Sequence, residues 1–274
     1  MASTITTNPA SLTAQRALAS NHRTIRTSME RLTTGLRINS AKDDSAGLAI
    51  AERMTKQVRG MTVAGRNAND AISLAQTADG SLSKVSESLQ RMRELAIQSS
   101  SASNSASDRT NLDEEYQALA AEVGNAIGRA KFNGNALMNA SATDMAFQVG
   151  NERTDSITVN LTDISAGAGM AAALSGAITS AATALTTLSS LDAAISEVTT
   201  ARSNFGAVQN RFEAVAANLS DTAENLASSR GLIMDADFAT ESANLARAQV
   251  LQQAGNAMLA QANQAPQQVI SLLR

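Results

Sequence analysis

The side chains that could do chemistry are few in this sequence and lie far apart. His22 is the only histidine, and the 274 residues include no cysteine. A single imidazole with apolar neighbours three and four residues away is predicted to pack rather than to act as a base or a metal ligand. Without cysteine there is neither a disulfide framework nor a thiolate metal site.

The run of carboxylates at Asp113, Glu114 and Glu115 is predicted to face solvent. Consecutive residues of a helix point about 100° apart, so these three cannot converge on one ion. Asp235 and Asp237 are predicted to begin a helix, where acidic groups are favourable. No Gly-rich phosphate loop and no Ser/His/Asp set can be assembled. We therefore expect no enzyme activity, no cofactor and no metal.

The strongest pattern in the sequence is a heptad repeat. Its apolar residues alternate steps of three and four, which places them on one narrow face of a long helix. Such a face requires a partner helix. The residues are Ala68, Ala71, Ala75, Ala78, Leu82, Val85, Leu89, Met92 and Ala96.

A matching repeat occurs more than 90 residues later in the chain. Its polar positions are Arg202 and Thr222, and its apolar positions are Leu188, Leu191, Ile195, Val198, Phe205, Val208, Phe212, Val215, Leu219 and Leu226. We expect the two repeats to zip together as antiparallel helices of one rod. The predicted rod core comprises Leu82, Val85, Leu89, Met92, Phe205, Val208, Phe212, Val215 and Leu219.

Composition favours thin helical layers over a thick globular core. Aromatic residues make up only 2% of the chain, and both prolines, Pro9 and Pro266, lie near its ends. The formal net charge of −3 argues against nucleic acid as a partner. No apolar run reaches 18 residues, so no membrane insertion is expected. The first residues lack the basic start and apolar stretch of a cleaved signal peptide.

Helices and connectors alternate along the rest of the chain. Asn8 before Pro9 is a helix entry, and Gly35 interrupts that helix. Asp43, Asp44 or Ser45 is predicted to cap the next helix. The predicted helices span residues 8–33, 45–99, 108–130, 191–227 and 235–264.

The period changes from helical to two near the middle of the chain. Phe147 and Val149 alternate, as do Ile157, Val159 and Leu161, which predicts a β-hairpin near 143–161. A short variable region lies near 153–190. Its part from Ser165 to Ser190 is rich in Ala, Gly, Ser and Thr, and is predicted to pass from a loop into a helix.

The predicted fold class is therefore mainly α, with a long antiparallel coiled-coil rod, one small β-hairpin and paired terminal helices. Residues 1–44 and 235–274 are predicted to form one discontinuous terminal domain. Residues 45–234 are predicted to form the helical rod domain.

At this level of detail the chain resembles bacterial flagellin, in a short form lacking the variable outer domains. The segments that carry the resemblance cover nearly all of the chain except about residues 153–190. They include LTTGLRINSAKDDSAGLAIAERM, NANDAISLAQTADGSL, LQRMRELAIQS, FNGNAL, FQVGN, GAVQNRFEAVAANLSDTAEN, MDADFATES and the stretch from Ala248 to Leu273. One departure is Arg230-Gly-Leu-Ile233, where Gly231 puts helical continuity in doubt.

The resemblance implies a structural subunit that self-assembles into the helical flagellar filament, the propeller for swimming. It also implies a secreted, extracellular protein that passes through the flagellar export apparatus. The implied partners are other copies of the chain, hook-junction and cap proteins, an export chaperone and the vertebrate innate flagellin receptor.

Two sets of site residues follow from the resemblance. The receptor-like contact residues are Gln90, Arg91, Leu95 and Glu115. The residues that pack in the filament core are Leu18, Ile25, Met29, Leu32, Phe238, Leu245, Val250 and Leu259.

Three other readings compete with a filament subunit: a junction protein, a signalling bundle and an enzyme of the export route. A hook–filament junction protein of the same superfamily would share the terminal segments but diverge in the middle motifs. A coiled-coil signalling bundle would share the Ala-rich repeats, but the hairpin interrupts them here.

Overall fold

The computed structural model describes the backbone of residues 7–271 and the side chains of residues 7–264. The chain is mainly helical, with small two-stranded sheets, which confirms the predicted fold class. The helices are α1 (Pro9–Thr34), α2 (Ser45–Ser100), α3 (Ala106–Arg129), α4 (Ala168–Leu174), α5 (Ala181–Met234) and α6 (Phe238–Ser271). The strands are β1 (Lys131–Phe132), β2 (Asn135–Ala136), β3 (Met145–Gln148) and β4 (Ser156–Val159).

The chain divides into two compact units. Unit 1 comprises residues 1–56 and 225–274, and unit 2 comprises residues 57–224. These divisions fall within α2 and α5. The domain limits predicted from sequence lie instead at the ends of those helices, and they remain a prediction.

The core of unit 2 is the heptad face of α2. All nine of its residues from Ala68 to Ala96 are at most 1% exposed. They share one apolar cluster with residues of α3 and α5. Within this unit α2 and α5 run antiparallel, because Arg93 pairs with Asp192 and Asp79 pairs with Arg202.

The structure places the predicted rod-core residues as follows. Leu82, Val85, Leu89, Met92, Phe205, Phe212 and Leu219 are buried, and Val208 and Val215 are half-buried. The polar position Arg202 donates from Nε to Asp79 Oδ1 over 2.8 Å. An ion pair thus replaces an apolar contact at that step of the repeat.

Two hairpins follow α3, where the sequence predicted one. The predicted hairpin is β3–β4, whose register pairs Met145 with Val159 and Gln148 with Ser156. The additional hairpin, β1–β2, turns at Asn133 and Gly134, which have φ of 48° and 85°. Two positive φ angles in succession are typical of a type I′ turn, which explains the Asn-Gly pair.

The variable region is more ordered than predicted. It contains α4, and α5 begins at Ala181, ten residues earlier than expected. Gly169 allows this arrangement, because a Cβ there would lie 2.7 Å from the backbone nitrogen of Ala194.

Polar groups hold α4 and the connector after it against the other helices. The Tyr116 hydroxyl donates to the Ala173 carbonyl over 2.5 Å. Ser99 Oγ donates to the Ile178 carbonyl, and the Ile178 amide donates to Asp113 Oδ1. Asp113, which was predicted to face solvent, is thus half-buried and holds the backbone of the connector. Burial raises the pKa of Tyr116, which keeps its hydroxyl protonated as a donor.

We expect Phe212→Ala to lower the free energy of unfolding by about 3–5 kcal/mol. The Phe212 ring is fully buried and meets Phe147 edge-to-face at 5.8 Å between ring centroids. Leu89→Ala should cost about 2–5 kcal/mol for the same reason. Denaturant unfolding of the full chain measures both effects.

Phe238→Ala is the matched control, because Phe238 is 65% exposed. It should change stability by no more than about 0.5 kcal/mol. Equal effects of the Phe212 and Phe238 variants would contradict this assignment of the core.

Candidate assembly interface

Helix α1 is defined at both ends by local chemistry. Asn8 caps it, accepting the Ser11 amide on its side chain, and Pro9 occupies the first turn. The helix stops at Gly35, whose φ of 72° ends the helical path. The Asn8–Pro9 entry and the Gly35 interruption are confirmed.

The starts of α2 and α6 are fixed by aspartates. Asp44 Oδ1 accepts the Gly47 amide over 2.8 Å, so Asp44 is the cap of α2 among the predicted candidates. Asp237 Oδ1 accepts the amides of Ala239 and Thr240 in the first turn of α6. Hydrogen bonds from Thr240 and from these amides lower the pKa of Asp237, which keeps it charged at the positive end of the helix.

Helices α1 and α6 pack against each other through one narrow seam of mostly small residues. On α1 the seam steps by three and four and consists of Ser11, Ala14, Leu18, Asn21, Ile25, Ser28 and Leu32, all buried or half-buried. On α6 its buried and half-buried residues include Glu241, Leu245, Ala248, Gln252, Gly255 and Leu259.

Side-chain hydrogen bonds fix the register of this pair. Asn21 donates to the Ala248 carbonyl over 2.7 Å, and Asn8 donates to the Ala262 carbonyl over 2.7 Å. The residue earlier in α1 thus pairs with the residue later in α6, so α1 and α6 are antiparallel.

Glu241 is the buried carboxylate of the described residues, at 7% exposure. It accepts Ser28 Oγ over 2.8 Å and Arg31 Nη1 over 2.7 Å. The Arg31 hydrogen bond lowers the pKa of Glu241, and Ser28 adds to this effect against the opposing effect of burial. This cluster joins the end of α1 to the beginning of α6.

Sequence reasoning missed this cluster. Ser28 has no apolar side chain to mark the seam, and the partner of Arg31 lies 210 residues further along the chain. The available signal was the spacing of three between Ser28 and Arg31, together with an acidic residue in the first turn of the last helix.

Backbone pairing holds the connector after α1 to the end of α5. The Arg37 amide donates to the Met234 carbonyl over 2.6 Å, and the Ala236 amide donates to the Gly35 carbonyl over 2.9 Å. The doubt raised by Gly231 is resolved, since α5 continues through it to Met234.

Large apolar side chains remain exposed in unit 1. Among the described residues, eight of the eleven exposed large hydrophobic residues lie there: Leu12, Met29, Ile50, Leu232, Phe238, Val250, Leu251 and Met258. An open groove of about 780 Å³ lies between α1 and α6, lined by apolar residues that include Leu18, Leu251 and Met258.

The residues predicted to pack in a filament core divide into two groups. Leu18, Ile25, Leu32, Leu245 and Leu259 are half-buried in the seam, whereas Met29, Phe238 and Val250 are exposed. His22 and Met29, both predicted to pack, are exposed, and Asn21 and Ser28 occupy the neighbouring positions in the seam. His22 is exposed beside Gln252, so its predicted packing role is wrong for the single chain.

A polar surface lies on unit 2, where Arg91 links α2 to α3. Its guanidinium donates to Glu115 over 2.8 Å and to Glu94 over 3.0 Å. These bonds, the Glu115 bond above all, raise the pKa of Arg91. Gln90, Arg91 and Glu115 are all exposed, so they form one accessible surface.

Leu95 does not belong to this surface. It is 1% exposed and lies within the apolar cluster of unit 2. The expectation of an exposed apolar anchor at this position therefore disagrees with the structure. The heptad face predicted for α2 did not include Leu95, which is buried because α3 covers a second face of that helix.

A helix pair that buries one narrow seam and leaves large apolar side chains exposed is typical of a protein that completes its packing by assembly. The sequence relatives support the same class. Residues 5–143 match the family model of the bacterial flagellin N-terminal helical region, and residues 188–273 match that of the C-terminal helical region. The chain belongs to the bacterial flagellin family and is a structural subunit of the extracellular flagellar filament.

Full-length relatives support this assignment. The flagellin of Halalkalibacterium halodurans is 40% identical over 97% of this chain and 98% of its own length. The flagellin of Xenorhabdus nematophila is 40% identical over 100% of both chains. These similarities favour a flagellin over the junction protein and the signalling bundle.

Solved structures agree on the fold. The crystal structure of Bacillus cereus flagellin has a TM-score of 0.53 and 32% identity, covering 60% of this chain and 94% of that chain. A putative flagellar hook-associated protein from Vibrio parahaemolyticus has a TM-score of 0.60 at 15% identity, covering 70% of this chain and 99% of that chain, which shows a shared fold alone. Among the described helices, none is both long and apolar enough to cross a membrane.

We expect acid to weaken the pairing of α1 with α6. Because the folded state lowers the pKa of Glu241, its ionised form stabilises the pair above the unfolded pKa of about 4.3, and this contribution is lost as the pH falls through the folded pKa. Glu241→Gln should cost about 1.5–3 kcal/mol at neutral pH and flatten the dependence on acid. Thermal unfolding followed by circular dichroism across this pH range measures both.

The control is Glu30→Gln, which neutralises an exposed carboxylate of α1 between Ser28 and Arg31. It should retain the wild-type pH dependence. Parallel loss of stability in wild type and Glu241→Gln would show that Glu241 is not the titrating group.

Proposed function

We propose that the α1–α6 pair is the part of the subunit that packs in the filament core, with residues 1–44 and 235–274 as its domain. Residues 45–234 then form the helical rod domain. The observation that carries this proposal is the concentration of exposed large hydrophobic residues in unit 1. Exposure of these side chains to water is unfavourable in free energy. Burying them between subunits therefore supplies a driving force for assembly.

An open polymer requires a contact between two different patches of the same chain. A head-to-tail contact of this kind that does not close a ring generates a helix. The groove between α1 and α6 offers one patch, and the exposed side chains of Phe238 and Val250, which lie outside the groove, offer another. The filament-core role of Leu18, Ile25, Met29, Leu32, Leu245 and Leu259 belongs to this proposal.

The Arg91 surface is proposed as the contact for the vertebrate innate flagellin receptor. Gln90, Arg91 and Glu115 are accessible on adjoining helices, and Arg is frequent at the energetic centre of interfaces. Leu95 enters this proposal only through the packing that supports α2.

The remaining partners and the route of export rest on family membership. We propose hook-junction and cap proteins at the filament ends, an export chaperone, and passage through the flagellar export apparatus without a cleaved signal peptide. We also propose that the chain has no catalytic activity, in keeping with the structural role of its family; a hydrolase assay on filaments would test this.

We expect Val250→Gln with Leu251→Gln to abolish polymerisation and leave the monomer folded. These side chains are 64% and 55% exposed, so they contribute little to the stability of the single chain. Their replacement should therefore weaken contacts between subunits only. Sedimentation and electron microscopy of induced polymers measure the effect, and circular dichroism checks the fold.

Ile97→Gln with Leu185→Gln is the control, at 46% and 59% exposure in unit 2. That double variant should still polymerise. Normal filaments from the Val250/Leu251 variant would exclude this face as the assembly surface.

We expect Arg91→Ala to weaken receptor binding by about 30-fold, which corresponds to a hot-spot residue of about 2 kcal/mol. Arg129→Ala removes an exposed arginine that is also paired, with Glu122 on α3, and should leave binding unchanged. Binding of monomers to the purified receptor ectodomain gives both constants. Equal affinities of the two variants would refute the proposed contact.

A further inference from the structure

The charge of the chain is divided unevenly between its two units. Unit 1 contains eleven lysines and arginines against seven aspartates and glutamates, whereas unit 2 contains eleven against eighteen. The formal net charge of −3 therefore conceals a unit of +4 and a unit of −7.

Three of the eleven positively charged residues of unit 1 lie on one face of α1. Leu12, Arg16, Ala19, Arg23 and Arg26 follow each other by steps of four and three, so they form one stripe along the helix. All five are exposed. Ten residues of helix separate the first and last arginine, a span of about 15 Å.

The three arginines of this stripe are unpaired in the part of the chain that the structure describes. Five other arginines in that part form ion pairs: Arg31, Arg91, Arg93, Arg129 and Arg202. The stripe itself includes no carboxylate before Glu30, which lies one turn beyond Arg26.

Self-assembly accounts for the exposed apolar residues of unit 1 but not for these arginines. Packing copies of unit 1 together would bring units of the same charge into contact. A surface that is both anionic and apolar would satisfy the two features at once. The interface of a bilayer with acidic headgroups has this character, and basic helices with apolar neighbours lie in its plane without spanning it.

We propose that the monomeric chain binds the surface of anionic phospholipid membranes through the arginine stripe of α1. The guanidinium groups of Arg16, Arg23 and Arg26 contact lipid phosphates, and Leu12, 49% exposed on the same stripe, enters the headgroup boundary.

Flotation of the full-length monomer with two kinds of vesicle tests this binding. We expect binding to vesicles of phosphatidylcholine mixed with phosphatidylglycerol, and little to vesicles of phosphatidylcholine alone. Each arginine near such a surface strengthens binding about fivefold, so the triple variant R16Q/R23Q/R26Q should bind about 100-fold more weakly. Raising the salt concentration should reproduce much of this loss.

The matched control is R59Q/R66Q/R211Q, which removes three exposed arginines of unit 2 and changes the net charge equally. It should bind as wild type does. Circular dichroism of both triple variants establishes that each is folded.

Three outcomes would overturn the proposal. The first is equal binding to charged and neutral vesicles. The second is equal loss in both triple variants, which would indicate a general charge effect. The third is binding to a soluble polyanion such as heparin, or to a second copy through unit 2, without binding to vesicles.

Discussion

Two helices that have only each other can bury no more than one face apiece. This constraint governs unit 1, where the seam of α1 and α6 runs through Ala14, Asn21, Ala248 and Gly255. Small side chains allow close approach but remove little apolar surface from water. The remaining faces stay exposed in the single chain, and the Ser28–Arg31–Glu241 cluster supplies a specific contact where apolar burial is scarce.

Unit 2 meets the same constraint differently. Its long helices share one apolar cluster with a third helix, the β3–β4 hairpin and α4, so residues such as Leu89, Phe212 and Tyr116 are completely buried. Unit 2 is thus packed by itself, whereas we propose that the packing of unit 1 is completed by assembly. The uneven distribution of charge follows the same division, since the self-contained part is acidic and the open part is basic.

The heptads, the long helices and the β3–β4 hairpin could be predicted because each depends on local periodicity. Ala68 to Ala96 repeat regularly enough to define one face without knowledge of the partner. The position of α4 could not be predicted, because it depends on the close approach of Gly169 to Ala194 and on Glu197 accepting the amides of Gly169 and Met170. The exposure of Leu95 was predicted wrongly for a related reason. The heptad repeat describes only one face of α2 and gives no information about a helix that packs on another face.

The single tyrosine has a consequence for optical measurements. With no tryptophan in the chain, Tyr116 is the only strong near-ultraviolet chromophore and fluorophore, and it lies within unit 2, where its hydroxyl donates to the Ala173 carbonyl. Its emission therefore reports on unit 2 alone, and unfolding of α1 and α6 should leave that emission unchanged. Comparing that emission with far-ultraviolet dichroism, to which every helix contributes, separates the unfolding of the two units without any label.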